Sequence, residues 1–337
     1  MSLSFKQRWI RLTHWEYWSM WTIYVPLIPY YIYQSIRSGG IGFFARTNPC
    51  MPSGGMGLFD KEEMYNLLPT NCYPTTNYFN PGTEIGTIET WLHENSIGFP
   101  LITKPANGCR GRGVEIVHSF KDLQNILVNC QEKMVIQSMI PFKYEVGIFY
   151  VKNPKEKDGR ITGIVEKKGI QIIGNGINTI GELVLQSERY APHFHSLKKN
   201  NSLNLDEILP IGKLEVLSSI GNHSRGATFY DISHLNSPKL EKVIDGISKK
   251  IEHFYFGRFD IKYESWEKLE NGESFSIVEL NGANSEPTHI YDPKHSYIFA
   301  LKEISKHWKM MGEISRENKI ICQKLPWNKA LQLLKDI

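Results

Sequence analysis

Cysteine is scarce in this sequence. The 337 residues include five (Cys50, Cys72, Cys109, Cys130 and Cys322), an odd number, scattered and without a CxxC pair. That pattern argues against a disulfide framework and a structural zinc site, and it favours a reducing compartment. An excess of either charge is also missing: 39 Lys and Arg against 35 Asp and Glu leave +4. With no dense basic run, the chain lacks the footprint of a protein that grips a nucleic-acid backbone, so no nucleic-acid partner is expected. A spanning helix needs about 20 apolar residues. The uncharged stretch Tyr17–Tyr33 is shorter, and Pro26 and Pro29 break it into pieces. It is aromatic rather than leucine-rich and has no small-residue cleavage site, so a signal peptide fits poorly. What remains is 41% hydrophobic and 22% charged, the make-up of an ordinary globular core.

The first 38 residues hold four of the eight tryptophans (Trp9, Trp15, Trp18, Trp21) and five tyrosines. Lys6, Arg8 and Arg11 precede the uncharged run and Arg37 follows it. Aromatic rings flanked by cations suit a membrane interface. Packing on the protein's own core, a seam in a homodimer and a true span are the competing readings. Residues 39–83 are rich in Gly, Pro, Asn and Thr, with a short helix expected near Lys61–Leu68. Pro52–Gly57 has the composition to wrap an anion with backbone N–H groups, though a plain loop explains it as well.

From residue 84 the pattern becomes regular. A helix is expected over Glu84–Glu94, a strand over Phe99–Pro105, a Gly-rich turn over Asn107–Gly113 and a returning strand over Val114–Val117. Ser119 caps a helix with Phe120, Leu123, Ile126, Leu127 and Cys130 at helical spacing. Strands follow at Met134–Gln137, Tyr144–Val151 and Ile161–Lys167. Thr179 and Glu182 form a capping box, residues 190–212 read as an excursion loop, and Ser237-Pro238 opens an amphipathic helix. A short amphipathic helix is expected near Trp327–Leu334.

Two late strands carry the densest chemistry. Alternation puts Arg258, Asp260 and Lys262 on one face of the first, and Phe275, Ile277, Glu279 and Asn281 on one face of the second. A solvated face is the plain reading of either strand alone. As a hairpin they converge a cation, two carboxylates and an amide, a hard-oxygen set that suits Mg²⁺. Upstream, Lys104 ends an apolar strand and is followed by Gly108, Gly111 and Gly113. Glycines let a backbone approach phosphate and lysine supplies a point charge. The loop lacks the GK[ST] of a Walker A motif, and no helix follows it as in a Rossmann loop. His193-x-His195 lies in a polar loop without a nearby carboxylate pair, so no metal is expected there.

The order of these parts resembles the ATP-grasp superfamily of carboxylate–amine ligases, nearest to the branch of cyanophycin synthetases and glutamate-adding ligases. FPLITKPANGCRGRGV (99–114) is similar to that branch's lysine strand and phosphate lid. NGINTIGELV (175–184) is similar to its G-x-x-T-I-x-E-L segment, GNHSRGATFYDIS (221–233) to its phosphate-side loop, and VELNGAN (278–284) to its E-x-N metal strand. The resemblance covers about residues 95–300. It implies an α+β ATP-grasp fold, two subdomains clasping ATP. The expected segments are an N-terminal piece (1–38), a small substrate-side lobe (39–94), the ATP-grasp domain (95–320) and a C-terminal helix (321–337).

By that resemblance Lys104 contacts the α/β-phosphates beneath the lid of Gly108, Gly111 and Gly113. Gln137 and the Met139 backbone face adenine, Glu145 binds the ribose, and Lys167 lies on a strand that faces the triphosphate. Asp260, Glu279 and Asn281 hold one or two Mg²⁺ ions, and Arg225 and Arg258 sit by the transferred phosphoryl group or the acyl oxyanion. The implied reaction joins a carboxylate to an amine through an acyl-phosphate, with small-molecule, peptide or lipid-linked substrates. A nucleotide-binding module without ligase activity and an ATP-grasp phosphotransferase are the alternatives. The expected location is the cytoplasm, peripheral at the inner face of the membrane. The chain departs from the family pattern in places. Residues 69–98 contain no lysine or arginine for the early nucleotide contact, leaving Lys61 as the substitute. Gln137 replaces glutamate, Ala227 replaces a glycine, and GANSEP follows Asn281, with Glu286 and His289 near the acceptor side.

Overall fold

The computed structural model describes residues 3–57, 60–106, 113–128, 130–198, 203–218, 221, 226–323 and 325–335. The helices are α1 (Leu3–Thr13), α2 (Met20–Tyr24), α3 (Ile28–Ser38), α4 (Lys61–Leu67), α5 (Ile85–Glu94), α6 (Phe120–Val128), α7 (Ile180–Gln186), α8 (Phe194–Lys198), α9 (Pro238–Ser248), α10 (Trp266–Glu270), α11 (Tyr297–Glu317) and α12 (Trp327–Lys335). The strands are β1 (Thr76–Phe79), β2 (Leu101–Pro105), β3 (Glu115–Val117), β4 (Met134–Ser138), β5 (Tyr144–Val151), β6 (Arg160–Lys168), β7 (Ile170–Ile173), β8 (Leu214–Ser218), β9 (Thr228–Asp231), β10 (Phe256–Tyr263) and β11 (Phe275–Asn281). The expected α+β class is borne out. The chain folds as two compact units, one of residues 1–34, 163–235 and 286–309, the other of 35–162, 236–285 and 310–337.

The second unit holds two antiparallel arrangements. In the first the order is β1-β4-β2-β3. Its apolar face buries Leu101, Val117 and Ile136 against Ile88 and Leu92 of α5 and Leu123 of α6. These helices form because their apolar residues recur at three and four, so one stripe meets the sheet. In the second, β10 pairs antiparallel with β11 on one side and β5 on the other. Capping sets where α4 and α9 start: Asp60 accepts from the Glu62 N–H at 2.7 Å, and Ser237 from the Leu240 N–H at 3.2 Å.

In the first unit β6 pairs with β9, and β7 with β8. Ile170, Ile172, Val184, Leu197 and Leu217 form one core, over which the Thr179–Glu182 capping box fixes α7. A second core gathers Ile23, Leu27, Val165, Phe229 and Ile290. The N-terminal segment thus packs part of itself on its own unit. Between α2 and α3 the chain narrows to a 3₁₀ turn carrying Pro26, the expected break. The excursion loop is not wholly irregular, because Leu197 of α8 finds a place in the core.

One loop explains its own glycines. Gly55 sits at φ +81°, and a Cβ there would lie 2.7 Å from the Gly282 Cα. The Ala283 and Asn284 N–H groups donate to the carbonyls of Gly54 and Gly55 at 2.9 and 3.3 Å. In Pro52–Gly57 the glycines therefore serve a close backbone approach to the chain just past β11. Asn48 secures the same region. Its Nδ2 donates to Gly54 O and Phe256 O, and its Oδ1 accepts from the Tyr255 and Phe256 N–H groups, all within 3.1 Å. Asn48 is fully buried, so Asn48→Ala strands several backbone groups away from water and is expected to cost about 3 kcal/mol. Urea unfolding reads this as a lower midpoint at unchanged slope; a loss below about 0.5 kcal/mol contradicts the assignment.

Candidate functional site

Register places the polar residues. Arg258 lies opposite Asn281 and Asp260 opposite Glu279 on β11. On β5 the partners are Phe149 for Arg258, Gly147 for Asp260 and Glu145 for Lys262. Directly opposed residues of an antiparallel pair share a face. Arg258, Asp260, Lys262, Glu279, Asn281 and Glu145 therefore line one side of three adjacent strands. The Arg258 guanidinium grips Asp260 in a two-point contact, Nε to Oδ1 at 2.8 Å and Nη2 to Oδ2 at 3.2 Å. Asp260 is 4% exposed, so this pairing compensates a carboxylate withdrawn from water.

One part of the expected pattern is corrected. Phe275 and Ile277 do not share a face with Glu279 and Asn281. The pairing jumps from Asp260↔Glu279 to Ile261↔Ile277, so Val278 is an extra residue on β11. The bulge shifts the alternation by one. Ile277 turns into the core and Glu279 comes out on the Asp260 side.

The extra residue leads to a side chain that alternation in sequence did not single out. The Tyr65 hydroxyl of α4 donates to the Val278 carbonyl at 2.8 Å and accepts from Lys104 Nζ at 3.3 Å. Lys104 Nζ also lies 5.3 Å from the Tyr65 ring centre. Lys61, one turn earlier on α4, reaches the Ala106 carbonyl beyond β2 at 3.3 Å. Lys104 is buried, and its pKa falls from 10.5 to about 8. Burial is the main cause, the Lys61 charge adds to it, and Glu279 opposes it. Lys104, Lys61 and Glu279 are thus close enough to feel one another. Gln137, two residues along β4 from Val135 opposite Lys104, is buried and donates to Thr76 Oγ1 at 2.6 Å.

The donor set fits a hard cation. Two carboxylates and an amide share one face, and Glu279 is exposed. The Asn281 Nδ2 is buried with no hydrogen-bond partner among the described residues. Turning that amide over would present its oxygen on the same side. Arg258 would then share Asp260 with the ion.

The other expected residues separate. Gly113 sits at φ +68° with Pro105 packed against it, a position only glycine fills without strain. Met139 follows β4 and is 42% exposed. Lys167 lies on β6 opposite Phe229, within the first unit. Gly108, Gly111 and Arg225 lie outside the described residues, as does Cys109. Glu286 has its carboxylate engaged by the hydroxyls of Tyr24 and Tyr291, and His289 is buried nearby in the same unit.

Lys104 sets a pH signature. Its folded pKa lies below that of the unfolded chain, so between about pH 8 and 10.5 the unfolded state holds more protons. Stability therefore rises with pH across that window. Wild type should gain up to about 3 kcal/mol over Lys104→Met between its two ends. Parallel stability curves for the two proteins in chemical denaturation contradict a buried ammonium.

No protein-family profile matches the chain. In sequence it is 26% identical over 193 residues to a cyanophycin synthetase from Trichormus variabilis, covering 51% of this chain and 20% of that protein. A cyanophycin synthetase from a Nostoc species is 25% identical over the same length. The chain spans about a fifth of the length of these curated relatives. Among solved structures it is similar to a D-alanine–D-alanine ligase from Bacillus anthracis (TM-score 0.45, 17% identity, 79% of this chain and 73% of that one). A D-Ala:D-Ser ligase from Enterococcus faecalis follows (TM-score 0.44, 14% identity, 78% and 62%). The resemblance to the ATP-grasp carboxylate–amine ligases is borne out by the sequence similarity to cyanophycin synthetases.

Proposed function

We propose that the chain is an ATP-dependent ligase that joins a carboxylate to an amine and releases ADP and phosphate. The observation that carries this reading is the meeting of a buried lysine with an acidic strand face through Tyr65. A buried cation with few neutralising partners is primed for an anion, and the depressed pKa of Lys104 is the cost of holding it ready. Lys104, with Lys61 beside it, would hold the phosphates of ATP. Gln137 and Met139 would border adenine, and Glu145 the ribose. Lys61 would supply the early contact for which residues 69–98 offer no lysine or arginine.

Asp260, Glu279 and Asn281 would hold Mg²⁺, which neutralises phosphate charge when bound. Phosphoryl transfer asks the protein for positioning and charge more than for covalent help. The substrate carboxylate takes the γ-phosphoryl group, the amine then attacks the activated carbonyl, and phosphate leaves. Arg258, two residues from Asp260 on the same strand face, would steady negative charge on the reacting oxygen. The substrates are small-molecule, peptide or lipid-linked acids and amines. Lys167, Arg225 and the Gly108–Gly113 lid would complete the phosphate side.

Asp260→Ala, Glu279→Ala and Lys104→Ala should each lower substrate-dependent phosphate release by on the order of 100-fold while the protein stays folded by circular dichroism. Wild-type rates in all three contradict the site. MgATP binding without phosphate release, across a panel of acids and amines, points to a nucleotide-binding module. A stable phosphorylated product points to a phosphotransferase.

A further inference from the structure

The first three helices are apolar on two sides, and only one side meets the protein. On α1, Phe5, Trp9 and Leu12 recur at spacings of four and three and are 51, 57 and 71% exposed. They form one face of the helix, while Ile10 is buried. From α2 into α3, Trp21, Val25, Ile28 and Ile32 recur at four, three and four and are 46 to 69% exposed. Ile23 and Leu27 point the other way, into the core with Val165, Phe229 and Ile290. Trp18, itself partly exposed, donates its indole N–H to the Leu12 carbonyl at 3.0 Å and so ties the turn to the end of α1. The inner row is anchored, so the outer rows cannot turn inward to bury themselves. A soluble chain rarely leaves this much aromatic and aliphatic surface in water.

Charge selects the occupant. Glu16 is the only acid among residues 1–38. It is ion-paired to Arg189 at 2.8 Å with its side chain 6% exposed. Arg8 stands exposed on α1 beside the apolar row, and Arg11, also exposed, donates to the Pro192 carbonyl at 3.1 Å. Cations with no free acid complement anionic headgroups, and tryptophan favours the boundary between headgroup and acyl chain. A protein partner gives no reason for the missing acids. The helices have 11, 5 and 11 residues, too short to span. Among the described residues no helix is long and apolar enough to cross a membrane.

We propose that α1 to α3 form an in-plane docking surface for an anionic phospholipid membrane, inserting Phe5, Trp9, Leu12, Trp21, Val25, Ile28 and Ile32 to the level of the headgroups. This surface does not depend on the nucleotide reading, and its test needs no ATP. The full chain is floated with vesicles of phosphatidylcholine alone and of phosphatidylcholine with phosphatidylserine. The chain should float with the anionic vesicles and bind the neutral ones several-fold more weakly, with added salt narrowing the gap. Trp21→Glu combined with Ile32→Glu should lower the floated fraction at least tenfold. Tryptophan fluorescence of the wild-type chain should be quenched by brominated lipid, a reading that does not depend on the variant folding. Failure to float on either vesicle, absent quenching, or equal binding by a folded variant overturns the proposal. So does a dimer in sedimentation equilibrium that Ile32→Glu dissociates, because the rows would then belong to a second copy.

Discussion

Strand β10 is hydrogen-bonded on both sides, and the candidate site depends on the register it keeps. A slip of one residue against either neighbour would send Arg258 and Asp260 into the core and bring Phe259 and Ile261 to the surface. Both neighbours resist that slip. Phe259 and Ile261 are fully buried, so moving either of them outward costs apolar burial on the order of 2 kcal/mol per side chain. Asn48 pins the start of β10 through the backbone of Tyr255 and Phe256. On this rigid strand the Arg258–Asp260 pair is held in place before any ligand arrives.

The bulge at Val278 adds a second level of control. It turns Glu279 to the Asp260 side and frees a carbonyl that α4 can reach. Asp60 caps α4, which sets Lys61 and Tyr65 one turn apart on the same side of the helix. Tyr65 then links the strand that carries Lys104 to the strand that carries Glu279. In this low-dielectric setting each charge is felt more strongly than in water. The same desolvation that lowers the Lys104 pKa would strengthen its hold on a bound anion.

Much of this was readable from residue order. The alternation of Arg258, Asp260 and Lys262 and the capping box at Thr179 are local patterns, and the structure repeats them. Helix α11 was not among the expected elements, although Ala300, Ile304, Met311 and Ile314 recur at helical spacing. Strands β7, β8 and β9 were harder because they run only four or five residues and pair with distant segments. The face of Phe275 and Ile277 was misassigned because a bulge leaves no mark in the alternation of residue types. Tyr65 gave no signal at all. It reads as one aromatic of a short helix, and its partner carbonyl is 213 residues away.

Local composition alone determined many of the helices and strands, where several helices begin, and which side chains can offer hard oxygen or cationic groups, because those properties depend on neighbours within a turn or a pleat. Only the tertiary structure decided that Lys104 is buried, that Tyr65 joins it to the Glu279 strand, and that the outer rows of α1 to α3 are left without a covering. Those outcomes depend on which distant surfaces exclude water from one another, and burial of that kind is set by the packing of the whole chain.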